Sequence, residues 1–80
     1  MTPEQHRHLS SHLKTLERQA AEVAQQHADD ADFWPAFASL AEPIEEYAGR
    51  AGDAAHEFAS TWIDEILIRL GKMDPAHRQT

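Results

Sequence analysis

The sequence predicts an all-α fold: a helical hairpin or three-helix domain that completes its bundle by self-association. Three observations lead there. Apolar residues recur at alternating spacings of three and four along most of the 80 residues, with no two-residue alternation to compete. Capping and stop signals divide the chain into segments of helical length. The final segment, "TWIDEILIRLGKMDP" at 61–75, carries an apolar face too wide for one neighbouring helix.

The first helix is signalled by Thr2-Pro3-Glu4-Gln5: a capping hydroxyl, a proline where the missing N–H costs nothing, and a glutamine three residues after the cap. His6, Leu9, Leu13, Leu16, Ala20, Val23 and His27 then form a narrow coiled-coil-like seam. Asp29, Asp30 and Asp32 end it, and Asp32 is the expected cap of the next helix, beginning "DFWPAF". There Phe33, Phe37, Leu40, Ile44 and Tyr47 keep the spacing, and Pro43 predicts a kink or a stop near Glu42. A break is expected at 49–52, between Gly49 and Gly52, with Asp53 as the following cap, although the apolar phase runs on through Ala48, Ala51 and Ala55. Gly71 supplies a left-handed stop for the last helix. The expected helices are about 3–29, 33–48 and 53–70 in one domain over 1–73, with 74–80 a flexible tail.

Composition narrows the rest. Alanine supplies 14 of the hydrophobic residues, leaving 19 larger ones, a thin supply for a chain of this size. On a wheel, Phe58, Ala59, Trp62, Ile63, Ile66, Leu67 and Leu70 spread over roughly 180°. Together with the unequal helix lengths, that width predicts a homodimer, with Leu9, Leu13, Leu16, Val23, Phe58, Trp62, Ile66, Ile68 and Leu70 at the interface. Ile68 is off the main stripe, and beside Arg69 and Lys72 it would extend a contact surface.

The net charge is −7, and residues 29–65 hold ten acids against Arg50 alone. Such a segment repels phosphate backbones and anionic lipid, so direct nucleic-acid or membrane binding is not expected. No run nears the ~18 apolar residues of a membrane span, and no basic-then-apolar leader follows Met1, so a cytoplasmic location is expected. There is no cysteine.

Six histidines are the anomaly. His8 and His12, one helical turn apart with Glu4 a turn earlier, are candidate metal ligands. Two or three ligands on one exposed helix fall short of the four of a structural zinc site, so no metal or cofactor is assigned. His6 and His27 fall in the seam and are expected in the interior or at a bundle end. Asp53-x-x-His56 resembles, at a distance, the Glu-x-x-His pair of di-iron bundles, and a dimer would bring two copies of it together with Glu22 or Glu57. An aspartate at an expected cap makes helix capping the better reading. Glu45-Glu46 and Asp64-Glu65 fall on polar faces, and no serine or threonine has a nucleophile's setting, so an enzyme is not expected. The chain resembles only a broad class, the small acidic all-helical adaptors, chaperones and inhibitors. Protein–protein contact is the expected mode of action. The alternatives are a bundle holding a metal or cofactor through its histidines, and an acidic inhibitor that imitates nucleic acid.

Overall fold

A computed structural model describes residues 1–74 as three α-helices, α1 (Pro3–Gln26), α2 (Asp30–Ala51) and α3 (Asp53–Arg69). Each helix contacts both others, so one chain forms a three-helix bundle, not a hairpin. Among the described residues no helix is long and apolar enough to cross a membrane.

The start of α1 follows the sequence closely. Thr2 Oγ1 accepts from the Gln5 N–H at 3.1 Å, and the Thr2 N–H donates to Gln5 Oε1 at 3.0 Å. That reciprocal pair satisfies two donors which the helix leaves unpaired. The end of α1 falls three residues before the expected one, because Asp29, and not Asp32, caps α2. Its carboxylate accepts from the Ala31 N–H at 2.9 Å and its carbonyl from the Phe33 N–H at 3.0 Å. A capping residue is itself non-helical, so α1 has to close before it.

Pro43 does not stop α2, which continues to Ala51. An interior proline costs about 3 kcal/mol relative to alanine. Burial on both sides of it opposes that cost: Phe33, Phe37 and Ala41 precede it, and Ile44 and Ala48 follow. Each large side chain among these contributes about 1.5–3 kcal/mol, so packing outweighs the lost hydrogen bond.

The break expected at 49–52 is a single residue. Gly52 has φ 122° and ψ 175°, backbone that only glycine adopts at low cost. Its N–H closes the last turn of α2 on the Ala48 carbonyl at 3.2 Å, and its carbonyl accepts the first bond of α3 from His56 N–H at 3.0 Å. Gly52 therefore occupies the cap position, and Asp53 is the first residue of α3 with no side-chain capping bond. At the other end, Lys72 N–H bonds the Leu67 carbonyl (2.8 Å) and Gly71 N–H the Ile68 carbonyl (3.0 Å), with Gly71 at φ 74°. This is the Schellman pattern, and Gly71 is the left-handed stop that the sequence predicts. It also brings Lys72 Nζ to 2.7 Å from Asp30 and 4.7 Å above the centre of the Phe33 ring, so its half-buried side chain closes that end of the bundle.

The core draws on all three helices: Leu9, Leu13, Leu16 and Ala20; Phe33, Phe37, Ala41, Ile44 and Ala48; Ala55, Ala59, Ile63, Ile66 and Leu67. Among the described residues no polar or charged side chain is buried. The wide face of α3 is shared out within the chain. Phe58 and Trp62 border a groove with Glu17 of α1, while Ile63 and Leu67 border one with Phe37 and Ala41 of α2. Leu9, Leu13, Leu16 and Ile66, expected between two copies, are instead enclosed by their own chain. The width of the face thus does not by itself demand a second copy. The expected tail from 75 onward lies outside the described residues.

Gly52→Ala lowers unfolding free energy by about 1–3 kcal/mol, the cost of backbone held in a glycine-only region. Apart from Gly52 and its two chain neighbours, no atom lies within 4 Å of an added Cβ, so the loss is conformational and not steric; an unchanged urea midpoint contradicts it. Phe33 is fully buried and Trp62 only half-buried, so Phe33→Ala costs about 3–5 kcal/mol and Trp62→Ala distinctly less, checked by the same melts.

Candidate functional site

The surface feature that stands out is a groove between α2 and α3. Trp34, Phe37 and Ala41 lie at i, i+3 and i+7 on α2 and meet Ile63 and Leu67 across the helix pair. Ala38 and Ala41 keep the α2 wall low, which makes the surface concave. Trp34 stands over this floor with its ring edge-on to Phe33 (centroids 5.3 Å) and to Phe37 (6.3 Å). It is 39% exposed, and among the described residues Met1 is the only other large hydrophobic side chain so open. The remaining lining is Glu42, Glu45 and Asp64; among the described residues no basic side chain lines the groove. An apolar floor with a rim of a single sign is the arrangement that results.

The groove between α1 and α3 is different in kind. Phe58 and Trp62 form its floor with rings edge-on at 5.6 Å, and an ion pair between Arg69 and Glu17 spans it. Both partners of that pair are exposed, so its contribution to stability is small. His6, expected in the interior, is exposed and lays its ring on Phe58 at 4.8 Å. The buried seam of α1 starts one turn later, at Leu9. His27 is half-buried at the end of α1, where its backbone N–H bonds the Val23 carbonyl.

His8 and His12 do come together, with Nε2 atoms 3.1 Å apart and ring centroids 4.4 Å apart. Tyr47 of α2 braces the His8 ring at 4.8 Å. Glu4 does not complete a site with them: among the described residues no three His, Cys, Asp or Glu side chains converge to hold a metal ion. The same finding covers Asp53 and His56, which are exposed at the start of α3.

Of the other residues expected at an interface, Val23, Phe58, Trp62 and Leu70 are half-buried and packed against the core, and Ile68 is half-buried. Trp34 escaped sequence reasoning because it lies off the seam, next to Phe33. The available signal was a large aromatic residue outside the buried register, beside a proline. Comparison of the chain with protein families, with curated proteins and with solved structures yields no match.

Trp34→Ala is expected to cost the fold less than Phe33→Ala. It removes edge-to-face ring contacts worth about 0.5–1.5 kcal/mol each, but 39% of Trp34 is already open to solvent whereas Phe33 is wholly buried, so less burial is lost. A denaturant midpoint that falls as far as for Phe33→Ala would show Trp34 to be a core residue and not a surface one.

Proposed function

We propose that this chain acts through protein–protein contact, and that its α2/α3 groove receives a basic amphipathic helix of a partner protein. The observation that carries this reading is Trp34, standing open over an apolar floor whose charged rim is entirely acidic. A helix laid in a groove buries apolar anchors at i, i+3, i+4 and i+7. The open part of a tryptophan is worth about 2 kcal/mol when covered, at about 25 cal/mol per Å², enough to make it an anchor of the contact. Lysine and arginine flanking those anchors meet Glu42, Glu45 and Asp64, and the acidic 29–65 segment steers such a partner in.

A second copy of the chain is the competing occupant, and the charge distribution disfavours it there. Two such grooves face to face set their acidic rims against one another, and like charges across an interface are costly.

Titration of the isotope-labelled protein with a synthetic Leu/Lys amphipathic helix tests this. Resonances of Trp34, Ala38, Ile63 and Leu67 are expected to shift, with affinity falling as salt rises, and Trp34→Ala is expected to weaken binding at least tenfold, about 1.4 kcal/mol. Equal binding of a Leu/Glu helix, or shifts centred on Phe58 and Trp62, would overturn the assignment. So would a mass twice that of one chain in sedimentation equilibrium that Trp34→Ala reduces to one.

A further inference from the structure

We infer that His8 and His12 form a two-imidazole clasp for a divalent late first-row transition ion, on a part of the molecule separate from the α2/α3 groove. Their Nε2 atoms point at each other across one turn of α1 at 3.1 Å. In the metal-free chain that separation is a hydrogen bond, in which one ring donates its Nε2–H to the lone pair of the other. With both rings as the Nδ1–H tautomer, each Nε2 carries a lone pair, and a turn of each ring by roughly 40° aims both at one point beside the N–N line. At metal–nitrogen distances of about 2.0–2.1 Å, a 3.1 Å span closes an N–metal–N angle of about 100°. That lies between the right angle of tetragonal copper or nickel sites and the tetrahedral angle of zinc, so the pair accepts such an ion by turning its rings, with the separation of the two nitrogens kept.

The frame that holds the pair is stiff. The residues following each of them, Leu9 and Leu13, are fully buried, and Tyr47 braces the His8 ring from α2. Both imidazoles are exposed, so ligand exchange meets no barrier from the fold. Among the described residues no third protein ligand converges, and water completes the coordination. Arg50 borders the same depression and opposes a cation, and in the adjoining one Arg7 opposes it while Glu4 favours it. Imidazole donors rank copper(II) highest among these ions.

Copper(II) added to the full, untagged chain is the test. One equivalent is expected to bind with an electron paramagnetic resonance spectrum showing two nitrogen donors. Its paramagnetism is expected to broaden the NMR signals of His8, His12 and Tyr47 while Trp34 stays sharp. His8→Ala and His12→Ala, both at exposed positions, are each expected to weaken binding about a hundredfold by removing the intramolecular second ligand. His56→Ala and Trp34→Ala are expected to leave it unchanged, so the clasp stands or falls independently of the groove. Affinity unaltered in either His8→Ala or His12→Ala, or broadening centred elsewhere, overturns the clasp.

Discussion

The antiparallel join of α2 and α3 through the single residue Gly52 is the constraint on which the rest of the bundle depends. A one-residue connection leaves the two helices no slack, so their relative placement is set by Gly52 backbone and by what lies beside it. Ala48 and Ala55, flanking the join, are both completely buried. A larger side chain at either would force the helix ends apart, since a core at close-packed density absorbs added volume only with strain. From that corner the pair opens toward larger residues, Phe37, Ile63 and Leu67, and α1 lays its leucine seam on both helices. Lys72 closes the far end over Phe33.

Alanine carries more of this packing than its size implies. Ala20, Ala41, Ala48, Ala55 and Ala59 are all in the core. Judged by large side chains alone the sequence looks short of hydrophobic material, and a second chain looks necessary. Small residues let helices approach closely, which reduces the volume that larger ones have to fill. The same property shapes the surface, because Ala38 and Ala41 leave the depression over which Trp34 stands.

Much of the fold was legible in the sequence because it is written locally. The capping box at Thr2–Gln5, the left-handed stop at Gly71 and the leucine seam each depend on residues a few positions apart. What was not legible depends on competition between distant contacts. Asp29 and Asp32 are both good caps, and the choice rests on where Phe33 must point to reach the core. Pro43 is a strong local stop that tertiary burial on either side overrides. Whether the wide face of α3 meets one chain or two cannot be read from its own residues. Among site features, the spacing of His8 and His12 was visible, whereas the groove was not, because its two walls come from different helices. His6 looked interior because the seam pattern extends to it, yet it stays exposed, with its ring against Phe58 at the edge of the core.

Native-state hydrogen exchange of the full chain tests the primacy of the α2–α3 join most directly. Amides that open only on global unfolding report the most stable unit. If the join organises the bundle, the amides of Ala48 and Ala59 exchange with the full unfolding free energy, and those of α1 at or below it. Exchange of Ala48 and Ala59 through a lower-energy opening, with Leu13 and Leu16 still protected, would contradict this and make α1 the organising element.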